Sequence, residues 1–252
     1  MENYNEKLDA LFKKWQKESE FTHFFYDGLM YRGEIISTHW RKSGNESEMW
    51  EKAPKRVMFL LKDVNAGGDG PEDDNNIRGR NFKDTTSRTY WNMSYWLYGL
   101  LKTIENGEVP KFTFSHSEAT QFFDDTPVAY VNCKKQAGTS SVSPSTLNYY
   151  IERDKKFIKE EIEILNPDII ICCAWTESSG NSIFEFVKNY VYQDIENVNS
   201  YMYYCAKKNK LVINAYHPTS TKIRDTEMYE NIMSDFNDFL VKFPDFNKSC
   251  RK

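Results

Sequence analysis

Apolar residues along the chain follow two rhythms, one at its start and another beyond Pro54. Leu8, Leu11, Phe12 and Trp15 recur at i, i+3, i+4 and i+7 with Lys and Glu between them, which is the single stripe of an amphipathic helix. The aromatic continuation through Phe24, Phe25, Tyr26, Tyr31 and Trp40 carries Gly28 and Gly33 and keeps no period, so residues 1–54 read as an N-terminal helical extension docked on the body. From Pro54 onward, short apolar runs alternate with helical stripes. The runs are Arg56 to Lys62, Val128 to Asn132, Asp168 to Cys173 and Leu211 to Ala215. The stripes are Met93, Trp96, Leu97, Leu100, Leu101 and Ile104, then Ile158, Ile162 and Leu165, and last Met228, Tyr229, Ile232, Met233, Phe236, Phe239 and Leu240. Strands alternating with helices predict a parallel sheet covered on both faces. The expected fold class is therefore α/β, a three-layer sandwich with a central, mainly parallel four-stranded sheet over residues 55–252, plus the N-terminal helical extension.

Composition narrows the class. Aromatic residues make up 15% of 252 positions, which excludes an intrinsically disordered chain. The mean hydropathy of −0.71 then reflects a polar surface rather than a missing core. No apolar run approaches the roughly 20 residues of a membrane-spanning helix. The first residues lack a basic head followed by an apolar stretch, and the five Cys show no framework spacing, so a reducing, cytoplasmic location is expected. Those Cys are not grouped with His, so neither zinc nor an iron–sulfur cluster is expected, and no cofactor is implied. The net charge of −4 argues against a generally basic nucleic-acid binder but leaves room for a local basic site. Phosphate-cradling glycine motifs are absent, and the polar stretch Gly138 to Ser145 has no nucleophile elbow.

In parallel sheets, ligands bind outside the carboxyl ends of the strands, so the residues that follow each run carry the candidate chemistry. The first run leads into Asp63-Val64-Asn65-Ala66-Gly67-Gly68, the second ends at Asn132 before Cys133-Lys134-Lys135, and the fourth leads into Tyr216-His217-Pro218-Thr219-Ser220. In this order and spacing they resemble the uracil-DNA glycosylase superfamily over Arg56 to Phe243. Gly79-Arg80-Asn81-Phe82 resembles a G-R-P-F segment of some branches, and Leu165-Asn166-Pro167-Asp168-Ile169-Ile170 resembles the family's approach to the third strand. The first loop lacks the family's leading Gly and its Pro, and Thr219 stands where the H-P-S motif has Ser.

The resemblance implies hydrolysis of an N-glycosidic bond in DNA by an activated water, by a monomer without a metal and without a lysine Schiff base. Such chemistry must deliver water to a cation-like sugar and stabilise an anionic departing base. Aligned on its last Gly, the first loop gives Asn65 the water-positioning role; aligned on the strand end, it gives that role to Asp63, and both stay open. His217 would donate to the base oxygen, Asn132 would read the base edge, and Phe82 would stack on its face. Gly67 stands where the uracil-specific branch has a Tyr that excludes 5-substituted pyrimidines, so a bulkier or modified base, as in phage DNA, is expected. The loop through Ser220, Thr221, Lys222, Ile223 and Arg224 would press into DNA, with Ile223 as a wedge.

Each candidate has a plainer reading. His217 is compatible with a surface or capping role, Asn65 with a turn, Phe82 with the core and Asn132 with a cap. The acidic run Glu72-Asp73-Asp74 would repel DNA, and Arg78, Arg80, Lys83, Arg88, Lys134, Lys135, Lys207, Lys208, Lys210, Lys222 and Arg224 are available to offset it. A non-catalytic DNA-binding or interaction module on the same fold is the main competitor, and a small-molecule hydrolase is the third.

Overall fold

The computed structural model describes residues 3–19, 23–38, 40–65, 75–83, 85–138 and 142–248. Its strands are β1 (Gly28–Leu29), β2 (Ile35–Ser37), β3 (Trp40–Arg41), β4 (Val57–Asn65), β5 (Val128–Gly138), β6 (Ile169–Trp175), β7 (Glu196–Asn197), β8 (Met202–Cys205) and β9 (Lys210–Tyr216). Its helices are α1 (Tyr4–Ser19), α2 (Glu46–Lys52), α3 (Arg88–Asn106), α4 (His116–Asp125), α5 (Pro144–Leu165), α6 (Ser182–Phe186), α7 (Asp225–Lys242) and α8 (Asp245–Lys248).

The four apolar runs are the four parallel strands β4, β5, β6 and β9. The sheet itself is larger than the four strands expected: among the described residues seven strands pair in the order β1-β5-β4-β6-β9-β8-β7. β1 lies antiparallel on β5, and β8 and β7 extend the other edge antiparallel to β9. These additions span two, four and two residues, too short for a period-2 pattern to register.

Alternate residues of the central strands feed two cores. Met58, Leu60, Ala129, Val131, Ile170, Cys172 and Val212 pack with apolar residues of α1, α5 and α6. Val57, Phe59, Leu61, Tyr130, Ile171, Cys173 and Ile213 pack with those of α3, α4 and α7. Both faces are thus covered, which is why these strands read as continuous apolar runs. The α5 helix starts with Ser143 accepting from the Thr146 N–H and with Pro144 in its first turn, and ends at Asn166 in a left-handed conformation (φ 44°) before Pro167. The α1 stripe closes over α5, where Trp15 stacks on Phe157 with ring centres 5.3 Å apart. β1, which follows α1, joins the main sheet. Among the described residues no helix is long and apolar enough to cross a membrane.

Candidate functional site

The strand order creates a crevice. The chain runs from β4 outward to β5 on one side, then returns past β4 to β6 and on to β9, so the direction of winding reverses between β4 and β6. Open α/β sheets bind ligands at the carboxyl end of such a switch point. Here the two strands also part: their pairing stops at Leu60 opposite Cys172, while β4 continues to Asn65 along β5 and β6 continues to Trp175 along β9. Residues 61–65 and 173–175 therefore line the two sides of a cleft in the sheet.

Asp63 stands on the β4 side. Its register partner on β5 is Lys134, whose Nζ lies 3.6 Å from the Asp63 carboxylate, and both side chains are largely buried. A register shift follows, so that Asn65 faces Gly138, and the carboxylate fills the space over that glycine. Burial raises the Asp63 carboxyl above its ordinary range, against the opposing pull of the Lys134 and Lys62 ammonium groups. Burial also lowers the half-buried Lys62, partly countered by Asp63.

His217 lies just past β9, on the far side of β6. Its Nδ1 accepts from the Thr219 backbone N–H at 3.3 Å and is 2.7 Å from the Thr219 hydroxyl. With Nδ1 occupied as an acceptor, the neutral ring carries its proton on Nε2. Burial, and secondarily the Lys62 ammonium, push the imidazole down to about 4, so it is neutral near pH 7. The loop that follows is tied to α3, since Asn92 Nδ2 donates to the Pro218 carbonyl at 2.7 Å and Arg88 holds Asp225 at 2.6 Å.

The other sequence candidates have varied settings. Asn65 ends β4 with its backbone opposite Gly138, and its side chain lies outside the described residues, as do all of Gly67 and the acidic run 72–74. Phe82 is 1% exposed, stacked on Tyr90 at 4.0 Å and tilted against Phe123 at 4.9 Å, so its ring belongs to a packed aromatic cluster. Asn132 is fully buried; its backbone N–H and its Nδ2 donate to Asp27 at 2.7 and 3.1 Å, while its Oδ1 has no hydrogen bond among the described residues. β5 does not end there but continues six residues to Gly138. Thr221, Lys222 and Arg224 are exposed and Ser220 is half-exposed, whereas Ile223 packs partly into the core between α3 and α7.

The basic residues divide. Lys62, Lys134, Lys222 and Arg224 stand at the carboxyl edge. Lys207 and Lys208 occupy the turn between β8 and β9 and Lys210 begins β9, at the opposite edge, where Lys207 pairs with Asp194 at 2.9 Å and Lys210 with Asp168 at 3.4 Å. Arg78 and Lys135 are buried in ion pairs with Asp9 and with Asp27 and Glu161.

Sequence reasoning did not single out Lys62, Gly138, Trp175 or Tyr216. Trp175 and Tyr216 are register partners that end β6 and β9, and their half-exposed rings meet edge to face at 4.4 Å; β6 lies between the strand of Asp63 and the strand that leads to His217. A register shift between Cys173 and Trp175 re-aims the indole, as bulges beside functional sites commonly do. The signal for both was available, since each is an aromatic residue within two positions of the end of an apolar run. A cavity of about 640 Å³ lies elsewhere, between residues 107–113 and α7, and contains none of these side chains. Among the described residues no group of three or more His, Cys, Asp or Glu could hold a metal ion. No known family model matches the chain, and no curated protein gives a significant match.

Proposed function

We propose that the chain is a DNA glycosylase of the uracil-DNA glycosylase type, a three-layer α/β sandwich that acts as a cytoplasmic monomer. It hydrolyses the N-glycosidic bond of a flipped uracil-like or modified base, for example in phage DNA. The observation that carries this reading is the arrangement about the β4–β6 cleft. A carboxyl raised by burial, Asp63, stands on one side of Trp175, and a neutral imidazole, His217, with Nδ1 already occupied, stands on the other. These are the two functions the reaction requires: a group that orients and deprotonates water, and an Nε2–H donor for the oxygen that becomes anionic.

Asp63 or Asn65 orients the water toward the sugar carbon. His217 donates to the base oxygen as the bond to the sugar lengthens. Stacking on the extruded base needs an open ring face, which Phe82 lacks, covered as it is by Tyr90 and Phe123; the half-exposed Trp175 supplies one. The exposed Thr221, Lys222 and Arg224 contact phosphates.

The test is a screen of duplexes carrying uracil, thymine mismatches and 5-substituted cytosines for alkali-labile sites. Wild-type protein should generate them on at least one duplex, and His217→Ala should lose this activity while keeping its fold. The competing reading, a non-catalytic DNA-binding module, is favoured by the commitment of Asn132 to Asp27. A binder of that kind would retard DNA in a gel without creating alkali-labile sites.

A further inference from the structure

Lys62 is the charged group on the cleft that the chemistry above leaves unused. It lies on the β4 side, two residues past the point where β4 and β6 part. Its ammonium acts on three groups around the cleft, Asp63 beside it, Cys173 on β6 and His217 beyond β9. The Cys173 thiol is kept protonated by burial and is no counter-ion. The lysines nearby have close carboxylate partners: Lys134 has Asp63, and Lys135 has Asp27 and Glu161. The Lys62 ammonium makes no hydrogen bond and no close ion pair among the described residues, although it is half-buried. Asp63 is the one carboxylate acting on it, and Lys134 shares that carboxylate at 3.6 Å. A partly desolvated ammonium balanced only in this way is unfavourable in the free protein, and an anion entering the cleft relieves that cost.

We propose that Lys62 is a further catalytic residue, holding the negative charge of the departing base while His217 hydrogen-bonds to its oxygen. This rests on the glycosylase reading of the same cleft. The step is electrostatic. The bond between sugar and base breaks with its electron pair going to the base, water oxygen bonds to the sugar carbon, and the water proton passes to the carboxylate or to solvent. Lys62 stays protonated and forms no bond. The division of labour has a physical reason: an imidazole kept neutral mainly by burial supplies a directed donor but no full charge, and the Lys62 ammonium supplies the charge while adding to the pressure that keeps the imidazole neutral.

The experiment uses the full chain and a duplex carrying whichever base the wild-type protein releases, with Lys62→Met and Lys62→Arg as variants. Removing one preorganised charge at a developing anion should lower kcat about 100-fold, with KM changed less than about threefold, and Arg should recover most of the loss. Borohydride should trap no protein–DNA adduct. An NMR titration should find the His217 imidazole titrating at higher pH in Lys62→Met than in wild type, an effect that a purely structural role would not produce. Base release with unchanged kcat in Lys62→Met would overturn the role of Lys62 alone, and a trapped adduct that vanishes in that variant would replace it with a nucleophilic role. Absence of base release from wild-type protein on every duplex would overturn the glycosylase reading itself.

Discussion

The Asp63 carboxylate occupies the space that a β-carbon on Gly138 would need: such an atom would lie 1.8 Å from Oδ2 and 2.8 Å from Cγ. Gly138 is not in a left-handed conformation, so its requirement is for room rather than for backbone freedom. Gly138→Ala should therefore cost about 1–3 kcal/mol by overpacking and displace the carboxylate from Lys134. In an Asp63→Ala background the same substitution should be tolerated, because the conflicting atoms are gone. Urea unfolding of the two single variants and the double variant measures the coupling, and additive costs would show that the two residues do not compete for this space.

The partly buried imidazole makes stability depend on pH in a defined direction. His217 is lowered from 6.5 to about 4 in the folded chain, so between those values the unfolded chain binds a proton that the folded one does not. Its contribution is present above about pH 6.5 and is lost as pH falls toward 4, on the order of 3 kcal/mol at most. His217→Asn should flatten that part of the profile, measured as the urea midpoint from pH 7 to pH 4. A profile of the same slope in both proteins would mean that His217 titrates normally.

Aromatic roles separate by what each substitution damages. Phe82 is packed between Tyr90 and Phe123, so Phe82→Leu should lower the urea midpoint and leave oligonucleotide affinity nearly unchanged. Trp175 is half-exposed and touches Tyr216 edge to face, so Trp175→Ala should weaken binding of a single-stranded oligonucleotide about tenfold, with Trp175→Phe retaining most of it. Fluorescence anisotropy with a labelled oligonucleotide reads both variants.

What could be read from the sequence was what repeats locally. The parallel strands and the stripes of α3, α5 and α7 announce themselves because each buries a regular set of apolar residues. The α4 helix buries Ala119, Thr120, Phe123 and Asp124, only half of them apolar, and β1 has two residues, so neither carries a period. Asp63 and His217 were visible as polar residues that follow apolar runs. The setting of Asn132 was not, because Asp27, which receives its hydrogen bonds, is 105 positions away and gives no local sign. Phe82 illustrates the same limit, since a phenylalanine has one appearance in sequence whether it faces a base or Tyr90.

The tail of β5 gives the last case. Lys135, wholly buried, lies against Asp27 and 2.8 Å from Glu161, with the rings of Phe12 and Trp15 over its ammonium at 5.1 and 5.3 Å. One ammonium balances one carboxylate, so two carboxylates here cannot both be charged without a net buried charge. Glu161 is accordingly raised well above the usual carboxylate range, by burial first and by Asp27 after the opposing pull of Lys135, a shift that favours its protonated form. At about pH 4, where the unfolded carboxyl holds its proton too, its isostere Glu161→Gln should then change stability by less than about 1 kcal/mol, whereas Lys135→Met strands Asp27 and should cost about 3–5 kcal/mol. Because the Glu161 carboxyl is raised on folding, its contribution is present below its unfolded value and declines as pH rises above it. The wild-type protein should therefore lose stability as pH rises above about 4.5, and Glu161→Gln should lose less. Urea unfolding between pH 4.5 and pH 8 decides the point, and equal slopes in the two proteins would mean that Glu161 is ionised in the fold.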